Sequence, residues 1–85
     1  MSWRLLYTPH AERDIGRLDP AIRRRLRVAL ENLALDPVKG ARKLTDSALG
    51  EYRARVGDWR VIFDLRGTDI VVLRVGHRRE IYRHR

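Results

Sequence analysis

Apolar and charged residues alternate from Tyr52 to Val56, and a β-branched and aromatic run follows from Trp59 to Phe63, with Gly57-Asp58 between them. Period-two alternation marks a half-buried strand, and Gly-Asp between two such runs can take positive φ, so the stretch predicts a β-hairpin with a two-residue turn. Pairing Val56 with Trp59 fixes the register. Ala54 then faces Val61 and Tyr52 faces Phe63, which leaves one side of the hairpin apolar throughout. On the other side Arg55 lies across from Arg60. Like charges directly opposite cost up to about 1 kcal/mol, and a phosphate between them would remove that cost.

The same reading extends along the chain. Trp3 to Thr8 reads as a strand with Trp3, Leu5 and Tyr7 on one side, and Pro9 suits a helix start. Ala11, Ile15 and Leu18 then recur at helical spacing. Asp19-Pro20 predicts a second helix, with Asp19 as its cap, a core stripe of Ile22, Leu26, Leu30 and Leu33, and Arg23, Arg24, Arg25 and Arg27 on solvated faces. Asp36-Pro37 ends it. Residues 38–50 are polar and read as a loop with a short turn. A second hairpin turns around Gly67-Thr68-Asp69, pairing Leu65 with Val71, Phe63 with Leu73 and Val61 with Val75. That register sets Arg74 beside Ile62, so Arg53, Arg55, Arg60 and Arg74 share the face away from the core, together with Ile62 and Val72.

The order is therefore an N-terminal strand, a two-helix hairpin and a three-stranded antiparallel meander: an α+β fold with both helices on one sheet face. Residues 1–85 are expected to form one small domain. Cysteine is absent, which excludes disulfides and thiolate metal sites, and no apolar run is long enough for a signal peptide or a membrane span. A cytoplasmic chain with no membrane association is expected. The formal net charge is +8, from 19 Lys and Arg against 11 Asp and Glu, which points to a nucleic acid or an acidic protein as partner. Arginine supplies most of it, with lysine only at Lys39 and Lys43. Genomic base composition also produces such a bias, so placement rather than number carries the reading.

Lys43-Leu44, the stretch Tyr52-Arg53-Ala54-Arg55-Val56-Gly57-Asp58-Trp59-Arg60-Val61-Ile62, and the ending Val75-Gly76-His77-Arg78-Arg79-Glu80-Ile81-Tyr82 together resemble a toxin of the RelE/ParE superfamily. The resemblance covers essentially the whole chain and implies a type II toxin–antitoxin system. RelE-like members cleave mRNA, typically in the ribosomal A site; ParE-like members poison DNA gyrase. RelE-like toxins carry two basic residues on the second strand, an arginine after the turn, and an arginine and a tyrosine near the C-terminus. These fall on Arg53 and Arg55, Arg60, Arg78 and Tyr82, which favours the nuclease branch. The two strand positions are often lysine in RelE itself and are both arginine here.

The resemblance implies a ribosome-dependent mRNA endoribonuclease, neutralised by a cognate antitoxin with an acidic wrapping segment and bound to operator DNA through that antitoxin. Arg55 and Arg60 suit the non-bridging phosphate oxygens, and Arg78 the leaving oxygen. Arginine stays protonated and cannot be the base. Tyr82 and His77 are the candidates for proton transfer, Tyr82 also for stacking on a base. Arg74, His77 and Arg79 are candidate RNA contacts, and His84 lies beyond the matched motif. Asp46, Glu51, Asp58 and Asp64 have no metal-ligand spacing, so neither a metal nor a cofactor is expected. The alternatives are a ParE-like gyrase inhibitor without nuclease activity and a non-catalytic RNA-binding module using the same arginines for phosphate contacts.

Overall fold

Thr8 shows how local chemistry starts this fold. In the computed structural model, which describes residues 3–37, 42–43 and 52–81, its hydroxyl accepts from the Ala11 amide at 3.1 Å and caps helix α1 (Pro9–Gly16). Proline at the first helical turn has no amide to satisfy, so the cap and the proline together close the helix start. The same hydroxyl donates to the Leu73 carbonyl at 3.1 Å, tying α1 to the sheet. Helix α2 (Pro20–Leu33) begins differently: Asp19 stands at its cap position but makes no side-chain capping bond, contrary to the expectation from Asp19-Pro20.

The strands are β1 (Arg4–Tyr7), β2 (Arg42–Lys43), β3 (Tyr52–Val56), β4 (Trp59–Arg66) and β5 (Asp69–His77), in the sheet order β1-β5-β4-β3-β2. β1 runs parallel to β5 and the remaining pairs are antiparallel. The two-residue strand β2, in the stretch read as loop, adds to the far side of β3. Beside β5, Arg4 forks onto Asp69 at 2.9 and 3.1 Å, directly across the parallel register.

The β3–β4 register is the expected one, with Tyr52 on Phe63, Ala54 on Val61, Arg55 on Arg60 and Val56 on Trp59. The β4–β5 register departs from expectation over its distal half. Gly67, at φ +60°, and Thr68 form a tight two-residue turn, so Arg66 pairs with Asp69, Leu65 with Ile70 and Phe63 with Val72. A β-bulge then leaves Leu73 as an extra residue and restores Ile62 on Arg74 and Val61 on Val75. The expected pairs Leu65–Val71 and Phe63–Leu73 are thus replaced. The bulge lets Ile70, Val72 and Val75 all reach the core despite a spacing of two and then three, and it moves Val72 off the outer face.

Ala11, Leu26, Leu30 and Leu33 pack on Ala54, Val61, Phe63, Ile70, Val72 and Val75, which places both helices on one face. Ile62 is fully buried outside this cluster, on the opposite side from its neighbours Val61 and Phe63. Tyr7 sits in the groove between β1 and the helices with Leu26 and Leu30. Burial raises its phenol above the ordinary value, Glu31 adds to the shift and Arg27 opposes it. The folded state thus favours the protonated phenol, so this contribution is complete below about pH 10 and fades as pH rises through the raised folded value. Tyr7→Phe should flatten the alkaline decline in stability, as followed by urea melts against pH; an unchanged decline would contradict it.

Candidate nucleic-acid interface

The turn at Gly57-Asp58 gathers the arginines. Gly57 takes φ +60°, which lets the turn twist with its strands. Arg55 is exposed on β3, and Arg60 opposite it is only 8% exposed. A charge so buried needs partners, and Arg60 Nη1 donates to the Gly57 carbonyl at 2.9 Å and to the Trp59 carbonyl at 3.0 Å. The Arg55–Arg60 repulsion is therefore met first by turn carbonyl dipoles, before any phosphate is bound. Arg53, half-buried, lies between Ile62 of β4 and Arg42 of β2.

Arg78 meets the same turn from the neighbouring strand, directly after His77 of β5, which pairs with Trp59. Its amide donates to the Asp58 carbonyl at 2.8 Å, and its Nε lies 3.7 Å from Asp58 Oδ1. Beyond it the Glu80 and Ile81 amides both donate to the His77 carbonyl, at 2.9 and 3.0 Å, which curls the segment back. Ile81 is buried against Gly76, where a Cβ would stand 3.2 Å from the Ile81 Cβ. Gly76 pairs with Arg60 across the strands, and Ile81 also lines a pocket with Leu18, Trp59 and His77. Tyr82 follows directly and, with His84, lies outside the described residues.

Two candidates sit apart from this cluster. His77 pairs with Trp59 across the strands, and their rings meet edge to face at 5.6 Å. Trp59 packs toward the helix-side core, so His77 faces away from Arg55 and Arg60. Its Nδ1 accepts from the exposed Arg79 amide at 3.2 Å. Arg74 turns to helix α1, where its Nε meets Asp14 Oδ2 at 2.9 Å, and the same oxygen accepts from the Val75 amide at 3.0 Å. The Asp14 side chain is 9% exposed, so the pair neutralises Arg74 and locks α1 to β5. Asp14→Ala would leave a part-buried guanidinium and an amide without their acceptor, a loss of about 1–3 kcal/mol that thermal or urea unfolding would register.

Sequence reasoning left Arg25 out of the site. Arg25 is exposed, as a solvated helix face implies, and its Nη2 also lies 3.1 Å from where a Gly57 Cβ would stand, so α2 brings a further cation to the turn. The available signal was its spacing, three residues after Ile22 and beside Leu26, which sets it on the flank of the core stripe. Among the described residues no cluster of three His, Asp or Glu is placed to hold a metal ion, and no helix is long and apolar enough to cross a membrane.

This architecture has close counterparts among known proteins. The family described as the ParE toxin of the type II toxin–antitoxin system parDE matches residues 5–82. Toxin RelG of Mycobacterium tuberculosis is 33% identical over 86 residues, covering 98% of this chain and 99% of that protein. In the toxin–antitoxin complex RelBE2 of Mycobacterium tuberculosis, one chain superposes with a TM-score of 0.81 at 27% identity, covering 91% of this chain and 99% of that one. The archaeal RelE–RelB complex of Pyrococcus horikoshii gives 0.76 at 26% identity, covering 94% and 99%. The matched pattern spans nearly the whole chain, and the sheet order and helix placement accompany it; the chain belongs to the RelE/ParE superfamily of type II toxin–antitoxin toxins.

Proposed function

We propose that this toxin is a ribosome-dependent mRNA endoribonuclease of the RelE-like branch, held inactive by a cognate antitoxin. The observation that supports it most is the convergence of Arg55, Arg60 and Arg78 on one turn. In the proposed reaction a ribose 2′-oxygen attacks the adjacent phosphorus and the bond to the 5′-oxygen breaks. The products carry a 2′,3′-cyclic phosphate and a free 5′-hydroxyl; one proton leaves the 2′-hydroxyl and one reaches the 5′-oxygen.

Arg55 and Arg60 are assigned to the non-bridging oxygens, where bonding strengthens as charge accumulates in the transition state. Two carbonyl oxygens fix the plane of the Arg60 guanidinium, so its orientation needs no rearrangement when RNA arrives. Arg78 is assigned to the leaving oxygen and Arg53 to the flanking backbone. Tyr82, next in sequence to the seated Ile81, is assigned to base stacking and proton transfer. Arg74, His77 and Arg79 remain proposed as outer RNA contacts. On the ribosome, orientation of the mRNA supplies much of the rate.

An antitoxin partner is supported by the structural relatives, which are toxin–antitoxin complexes, and by the net charge of +8, which suits an acidic wrapping segment. Operator binding through that antitoxin, and a cytoplasmic location, belong to the same reading. The description of the matching family as ParE toxins favours a second reading, inhibition of DNA gyrase. Ribosomes programmed with labelled mRNA separate the two. The protein should cut at the A-site codon, and one 2′-deoxy substitution at the scissile nucleotide should abolish the cut. Intact mRNA together with blocked gyrase supercoiling would support the second reading instead.

A further inference from the structure

We propose that Asp58 is a positioning residue of the arginine cluster: its carboxylate holds the Arg78 guanidinium at the β3–β4 turn and so sets how well Arg78 meets the reacting phosphate. The inference rests on the nuclease reading above. Two contacts to one residue motivate it. The backbone bond from the Arg78 amide to the Asp58 carbonyl, at 2.8 Å, fixes where Arg78 leaves the sheet. The side chains then meet as a long ion pair, Nε to Oδ1 at 3.7 Å, which sets the carboxylate beside the guanidinium.

Exposure separates this role from a structural one. The Asp58 side chain is 65% exposed and that of Arg78 51%, so their ion pair adds little to folding. The turn itself does not call for a carboxylate, because asparagine serves a two-residue hairpin turn at least as well. A negative charge beside a phosphate-binding cluster also opposes RNA binding. What the carboxylate supplies at this place is direction for a long, flexible side chain, which otherwise samples many rotamers. Arg60 shows the same device on the adjoining turn residue, its guanidinium held by the Gly57 carbonyl.

Asp58→Asn is the discriminating substitution, since it keeps the turn preference and size and removes the charge. Single-turnover cleavage on programmed ribosomes should fall about fivefold, the rate equivalent of a surface ion pair at the upper end of its range, with half-saturation unchanged. Asp58→Glu should restore the rate to within about twofold. In an Arg78→Ala background Asp58→Asn should add no further loss, because the effect runs through Arg78. The Nε–Hε resonance of Arg78, followed by NMR in the free toxin, should lose its dispersion in Asp58→Asn while the melting temperature holds. Wild-type cleavage by Asp58→Asn, a loss that persists without Arg78, or an unmoved Arg78 resonance would each overturn the proposal. If the wild-type protein cuts no mRNA, the nuclease reading fails, and the resonance alone still decides whether Asp58 orients Arg78.

Discussion

Arg60→Ala is expected to lower the stability of the free toxin by about 1.5–3 kcal/mol, the range for hydrogen bonds to a charged group, and to cut mRNA cleavage about 10²–10³-fold. Both effects follow from one side chain. The guanidinium is 8% exposed and satisfies the Gly57 and Trp59 carbonyls, so its removal loosens the turn that also anchors Arg78. Relief of the repulsion with Arg55 offsets part of the stability loss, by up to about 1 kcal/mol. Arg60→Lys tells the two effects apart. It keeps the charge but not the planar fork, so stability should recover more than cleavage does. Urea melts and single-turnover cleavage on the same preparations check both; full activity of Arg60→Ala would remove Arg60 from the site.

Phe63→Ala should have the largest effect on folding, about 3–5 kcal/mol. The ring is fully buried, belongs to the core beneath both helices, and stacks on Tyr52 with centroids 5.6 Å apart and planes 17° from parallel. A chain of 85 residues has a total stability on the order of 4–13 kcal/mol, so this single cavity removes a large share of it. The urea midpoint should drop correspondingly, and Phe63→Leu, which refills most of the volume, should regain more than half. A midpoint shift below about 1 kcal/mol equivalent would mean that the core does not centre on Phe63.

The two hairpins differ in how much of them was legible before the structure, and the difference has a physical basis. In β3 strict alternation and a two-residue turn at Gly57-Asp58 leave one register that sets every apolar residue of β3 opposite an apolar partner, and that register is the one observed. In β5 the run Ile70-Val71-Val72-Leu73 is apolar on both faces, so alternation carries no register information there. The bulge that decides it is held from a distance, by the Thr8 hydroxyl on the Leu73 carbonyl. Strand β2 owes its existence to pairing with β3 rather than to Arg42-Lys43 itself, which is why a polar stretch concealed it.

For the cluster, the position of each arginine along a strand was legible, and the partner of each guanidinium was not. Arg74 finds Asp14 sixty residues away, a contact with no local signature, and Arg25 comes beside Gly57 from across the fold. The separation of His77 from the arginines was implicit in alternation, since His77 is two residues from the core-facing Val75. The family resemblance matched its position near the motif, but the strand geometry places it beside Trp59.

Primer extension on translated mRNA after induction of the toxin is the most direct test of the central claim. New 5′ ends should appear at codon positions within translated frames, disappear when translation of the transcript is blocked, and be much weaker for Arg78→Ala produced at equal level. Growth arrest by the wild-type protein with no such ends would contradict the claim.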